Sequence, residues 1–464
     1  MTSRDYIYNR ARFDLKHSSF PLLAESQVVI NVSALTLDEK RQILYNHLKL
    51  GTQPQRFRSA IKPHLEAVAS HPRFAPEAAR RLGDPAFTKN VRADRDGLID
   101  FVENQREFLV EVLTGLDTDS KAGVALIFMR SGALESPIRL SGGESDALDR
   151  LGSTLGTCAG ALAAMTASLV KHVLTADAVA VWQFKHPTIG DAFAELLLRN
   201  PELLGIYVRG APFRQLLNQV TCGDVGIENA VRVPRPLFPE VLERLREAHL
   251  QPKDARGSSG LALLDYFLAH RCGREFLECY LSTNPDILDR ITSPWIAVAA
   301  ETGVAVVIRL SQFNLLPEGR RRTFLDTVIG HAFEYGDPEV VTNKSIRQLF
   351  RADEWSALML KVQQELGNFL KNVREFYQDD YSERDDPGEV IQPFKELCTQ
   401  LESEFSDDLS VREAIQAERT RAEIWVTRTT EDQPGDPDYD LETFRSRPEP
   451  ATEAHRSVFD DVDS

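Results

Sequence analysis

Cysteine is scarce and poorly placed for chemistry. Cys158, Cys222, Cys272, Cys279 and Cys398 form an odd set without CxxC spacing, which argues against a disulfide framework and a zinc site and points to a reducing cytoplasm. No stretch approaches the ~20 apolar residues of a membrane helix, and Met1 is followed by polar Thr2, Ser3, Arg4 and Asp5 in place of a signal-peptide core. The expectation is a cytoplasmic chain with no membrane partner. Positive charge is in deficit: 54 Lys and Arg against 70 Asp and Glu leave a net charge of -16, which repels nucleic-acid phosphates and anionic lipid. Catalytic signatures are missing too. A GxxxxGK[ST] loop does not occur; the nearest look-alike, Gly257-Ser258-Ser259-Gly260, has no lysine and reads as a linker or helix N-cap. The GxSxG elbow and the HExxH metal helix are also absent. His47 and His64 lie on or near helices and read as surface or packed residues, so the sequence shows no self-contained active site.

What is present is ordinary globular composition, 42% hydrophobic and 27% charged, over 464 residues, enough for two to four units of about 150 residues. Thr36 with Glu39 makes a capping box before Ile43, Leu44 and Leu48, and Gly51 stands where a left-handed C-cap belongs. Pro76 sits in the first turn of a helix to Leu82, closed by Gly83. Helical periodicity recurs over 98–113, 117–129 (capped by Asp117), 144–155 and 158–170. The period then changes to two around Ala180, Trp182 and Phe184, and a helix resumes by Asp191. Helices followed by a hairpin are the winged-helix pattern. From 206 short helices follow one another to about 430, suggesting an α-solenoid-like layer, and the Pro-, Asp- and Glu-rich tail from 431 reads as disordered apart from Val458-Phe459.

Thr2-Ser3-Arg4-Asp5-Tyr6, the wording ILYNHLKLG, IKPHL and ARRL, and the run Phe184-Lys185-His186-Pro187-Thr188-Ile189-Gly190-Asp191-Ala192 enclose a helical bundle and a winged helix. This order, over roughly residues 1–215, resembles the second half of a STAND-type NTPase, the signal-transduction branch of the AAA+ P-loop ATPases, and specifically the bacterial novel STAND group of antiphage defence. The resemblance implies that Arg4 is a sensor-1 arginine contacting the terminal phosphate, a role that suits its forked cation. It implies that His186 binds the β-phosphate of ADP and that Pro76 packs on the adenine; capping the helix that follows is the other reading of His186. The Walker A lysine and Walker B carboxylates lie upstream of sensor 1 in that family, so ATP/ADP binding is expected only with a P-loop core supplied elsewhere, the chain being either truncated or completed by a partner.

The fold expected is therefore mainly α. It comprises a remnant of the nucleotide-binding sheet at 1–30, a helical lid at 31–95, a winged helix at 96–205, a helical sensor at 206–430 and an acidic tail at 431–464. The sensor is expected to take a protein ligand, in a chain able to form a homo-oligomer. Nucleic acid is not an expected partner, because the candidate reader helix Cys158 to Thr166 offers small and apolar groups, with Lys171 and His172 beyond its end. A stand-alone helical interaction scaffold without nucleotide chemistry is the alternative.

Overall fold

The computed structural model describes residues 35–175, 178–250, 259–293, 302–382, 385–406 and 408–431. Arg4, the strand-like run 27–32 and the tail from 432 lie outside them. The described residues are mainly helical, with one small antiparallel sheet and a two-stranded parallel pair. The chain divides into two compact units near residue 280.

The first unit begins with α1 (Leu37–Leu50), α2 (Gln55–Ile61), α3 (Leu65–Ala69), α4 (Pro76–Leu82), α5 (Arg95–Glu103) and α6 (Gln105–Thr114). The capping box forms as read: the Thr36 amide donates to Glu39 at 2.7 Å and the Glu39 amide to Thr36 Oγ1 at 3.3 Å. Leu44, Leu48, Ile61, Leu65, Leu82, Leu98 and Phe101 close one apolar core beneath these helices. The periodic stretch 98–113 is two helices meeting at Asn104, whose non-helical backbone breaks the run.

Gly51 departs from the left-handed cap expected of it, with φ -78° and ψ 178°. Its glycine is required for another reason. A Cβ at Gly51 would lie 2.3 Å from the Gly83 carbonyl oxygen, and one at Gly83 the same distance from the His47 carbonyl oxygen. The C-terminal ends of α1 and α4 thus meet backbone to backbone, joined by the Thr52 amide donating to Gly83 O at 3.0 Å.

Next come α7 (Thr118–Met129), β1 (Ala133–Ser136), α8 (Gly142–Leu151), α9 (Leu155–Ala164), β2 (Val170–Leu174), β3 (Ala180–Phe184) and α10 (Pro187–Arg199). Asp117 caps α7, accepting from the Ser120 amide at 2.9 Å. The sheet is antiparallel in the order β1-β3-β2, with Leu134 opposite Trp182 and Val173 opposite Val181. Periodicity missed β1 because it is four residues long, and carried the helix from 158 on to 170, whereas α9 ends at Ala164 and β2 begins at Val170. A buried layer of Ile127, Leu134, Val170, Val181 and Ile189 joins the sheet to the helices.

Beyond α10 lie α11 (Pro201–Gly210), α12 (Phe213–Gln219), β4 (Val220–Cys222), β5 (Val231–Val233), α13 (Phe238–Leu245), α14 (Gly260–Arg271) and α15 (Arg274–Thr283). Strands β4 and β5 are parallel. Gln219 ties this part to α7, donating to Phe128 O at 2.7 Å while its Oε1 accepts from Tyr207 at 2.6 Å. Arg244 gathers the carbonyls at the end of α11, donating to Val208, Arg209 and Ala211 at 2.7–2.8 Å, which satisfies acceptors a helix end leaves open. Ser259 caps α14, accepting from the Ala262 amide at 3.2 Å, so the end of the glycine-serine look-alike is a helix start.

The second unit contains α16 (Ile287–Ile291), α17 (Thr302–Gln312), α18 (Glu318–Glu334), α19 (Glu339–Thr342), α20 (Lys344–Arg347), α21 (Ala352–Gln364), α22 (Leu366–Asp379), α23 (Pro387–Val390), α24 (Gln392–Glu404) and α25 (Leu409–Glu431). The single helix read over 353–373 divides at Glu365 into α21 and α22. Buried Arg321 is its electrostatic centre: it donates to Leu349 O at 2.6 Å, to Glu354 at 2.6 and 2.8 Å and to Glu318 at 2.8 and 2.9 Å.

The hydrogen bonds from Arg321 hold the Glu318 and Glu354 carboxyls down to about 2, against an ordinary value of 4.5. A folded-state value below the unfolded one gives stability that is complete above about pH 4.5 and is lost as pH falls towards 2. The difference in urea midpoint between the native chain and Arg321→Met is therefore expected to shrink between pH 5 and pH 2.5. A constant difference would contradict this coupling.

Candidate functional site

The last turn of α4, with Glu77 one turn before it, and the first turn of α10 meet in a cluster of charged and polar side chains. Pro76 occupies the first position of α4, where a missing amide hydrogen costs nothing. One residue on, Glu77 accepts from Arg80 at 2.8 Å through each oxygen and from Arg81 Nε at 2.8 Å. Arg81 is almost fully buried, at 2% exposure, and its other edge donates to the Thr188 hydroxyl in α10.

His186 is the N-cap of α10. Its Nδ1 accepts from the Thr188 amide at 3.3 Å and lies 2.8 Å from the Thr188 hydroxyl. The capping reading of this histidine is what the geometry displays, and Pro187 follows it at the first helical position. With Nδ1 accepting from that amide, the neutral ring carries its proton on Nε2.

Charge organises the cluster. Burial pushes the Glu77 carboxyl up, but the Arg80 hydrogen bond and the charges of Arg81 and Arg80 outweigh it and leave Glu77 below the usual range. His47, at the end of α1, is held low, first by burial and then by Arg80. Two histidines from separate helices therefore flank one carboxylate and two guanidiniums. Phe87 floors this group, with Arg80 5.2 Å and Arg81 5.9 Å from its ring centre.

Two of the three residues singled out in the sequence, Pro76 and His186, thus fall on elements joined through Glu77, Arg81 and Thr188. Arg4 lies outside the described residues. Sequence reading did not assign a role to Arg81 and Thr188, which are 107 positions apart; only the fold brings them together. The signal within reach was the pair Arg80-Arg81 following Glu77, since adjacent arginines four residues or fewer from a carboxylate on one helix imply a forked ion pair.

Among the described residues, no group of three or more His, Cys, Asp or Glu could hold a metal ion, and no helix is long and apolar enough to cross a membrane.

Comparison with known families gives one match: the model of novel STAND NTPase 3 is similar to residues 1–50, a span that ends with α1. The N-terminal region is accordingly similar to a STAND-type NTPase family. No curated protein and no solved structure matches the chain.

Proposed function

We propose that this chain carries the lid, winged-helix and sensor portion of a STAND-type nucleotide-dependent switch of the antiphage-defence kind. The observation that carries this reading is the joint between α4 and α10, in which Arg81 links Glu77 to Thr188 beside His186. The similarity of residues 1–50 to a STAND NTPase family supports it. So does the order α7-β1-α8-α9-β2-β3 with sheet order β1-β3-β2, which is that of a winged helix.

On this reading ADP lies across the joint. Pro76 offers its ring to the adenine, His186 Nε2–H donates to a β-phosphate oxygen, and Arg4 reaches the terminal phosphate when ATP is bound. The sequence holds no GxxxxGK[ST] loop, so the phosphate cradle comes from a P-loop core outside these 464 residues. The helices beyond 206 recognise a protein trigger, and a homo-oligomer is the active form.

Calorimetric titration of ADP into the full chain, alone and mixed with a separately produced STAND-type P-loop core, tests the reading. Heat is expected in the mixture, with affinity about tenfold weaker for His186→Ala, the loss of roughly one hydrogen bond to a charged group. Absence of heat in both cases would instead favour a helical interaction scaffold without nucleotide chemistry.

A further inference from the structure

Two Cys-Gly dipeptides lie side by side in the first unit, remote in sequence from the α4–α10 joint. Cys222 ends β4 and pairs with Val233 of β5; on its other edge it forms an isolated parallel bridge with Cys272, the residue that follows α14. The Gly273 amide donates to the Cys222 carbonyl at 2.7 Å, and the Arg271 guanidinium donates to Val220 O at 3.1 Å. Glycine permits this approach. A Cβ at Gly273 would lie 3.3 Å from the Cys222 carbonyl oxygen, and one at Gly223, where φ is +103°, would lie 3.4 Å from Gly273 Cα. Both cysteines are wholly buried and both are thiols.

Spacing along the chain gives no hint of this pair; the fold makes it. Residues opposite one another in a β-bridge send their side chains to the same face, and their Cα atoms stand roughly 4.8 Å apart, within the span of about 4.4–6.8 Å that a disulfide accepts. Valine would pack as well here, as buried Val220, Val231 and Val233 do around it. What a matched pair of thiols adds is chemistry. The glycine after each cysteine gives the backbone the slack to draw the two sulfurs together.

We propose that Cys222 and Cys272 are a peroxide-sensitive thiol pair whose oxidation clamps β4 to the end of α14. One sulfur, as thiolate, attacks an oxygen of hydrogen peroxide; the O–O bond breaks, and a sulfenic acid and water result. The second sulfur then attacks the first, the S–O bond breaks, the S–S bond forms and a second water leaves. Two electrons pass from the thiols to the peroxide. Peroxide is small and uncharged, and it enters during the local openings that also exchange buried amides. In a reducing compartment the pair rests as thiols and closes only when peroxide rises. Closure turns the chain from 222 to 272 into one covalent loop, which restrains β5 and α13 within it. The inference does not depend on the nucleotide reading, since it shares none of those residues.

The full native chain, treated with hydrogen peroxide, alkylated and mapped by mass spectrometry without reductant, tests it. A Cys222–Cys272 linked peptide is expected at about tenfold or more over any other pairing of the five cysteines, because the fold supplies the proximity. Dithiothreitol is expected to remove it, and in denaturing urea the preference is expected to vanish. In the oxidised chain, amides of 220–222 and 272–277 are expected to exchange about threefold or more slowly, and Cys272→Ser to lose that slowing under the same treatment. A native pairing pattern no different from that in urea, or a linkage to Cys279 instead, would overturn the pair. Equal exchange before and after linkage would overturn the clamp.

Discussion

Replacing Glu144 with alanine is expected to cost about 3–5 kcal/mol of unfolding free energy, the range for breaking a buried ion pair from one side. The carboxylate is fully buried and has a partner for each oxygen. Arg130 donates to it at 2.5 and 2.6 Å, and the Ser141 amide and hydroxyl at 2.7 and 2.8 Å. Burial alone would push this carboxyl up; the hydrogen bond from Arg130 and those from Ser141 hold it below its ordinary range. Alanine removes the capping box of α8 and takes from Arg130 its carboxylate partner, leaving the guanidinium the Arg139 carbonyl. Glu144→Gln keeps an acceptor for Ser141 and drops the charge, so about half the loss is expected. Urea unfolding at neutral pH reads both, and a cost under about 1 kcal/mol for Glu144→Ala would show that water reaches the site.

Arg81→Met comes second, at about 3 kcal/mol, the lower end of the same range because Glu77 keeps Arg80. Methionine fills much of the volume, so the loss reports the severed link to Glu77 and Thr188 and not a cavity. Arg81→Lys is expected to recover less than half, because a single ammonium cannot serve a carboxylate and a hydroxyl on two helices as a planar fork does. The two variants also separate folding from function. If the joint between α4 and α10 senses nucleotide, Arg81→Lys weakens ADP binding in the completed complex by more than its stability loss accounts for. Equal binding by the native and lysine proteins would leave Arg81 a structural tie alone.

How far the sequence led depended on the range of the interaction. Thr36 with Glu39, Asp117 with Ser120 and Pro76 at its helix start were legible because a cap is settled within three or four residues. The mainly helical fold followed from the same local signals. Strand β1 escaped because four residues carry no usable period, and its partner Trp182 lies beyond two helices. Helix α18 escaped although Phe324, Leu325, Val328 and Ala332 hold a helical stripe behind Pro317, a signal that was present and overlooked. Gly51 was understood as a glycine position but for the wrong cause: close approach of Gly83 cannot be seen from either residue alone. The same limit applies at the candidate site. His186 and Pro76 could be named from their settings, whereas Arg81 meeting Thr188 is a product of packing.

The sheet order β1-β3-β2 also carries a consequence for how the chain acquires its structure. Strands β2 and β3 are sequence neighbours and can zip as a hairpin on a microsecond scale. Strand β1 must wait, since its partner β3 is the more distant of the two and α8 and α9 intervene. Closing that loop costs entropy before any ladder bond repays it, so the third strand is expected to join late. A nascent chain emerging from the ribosome would therefore expose Leu134 and the open edge of β1 until Phe184 has been synthesised, and this interval is when a chaperone has most to protect.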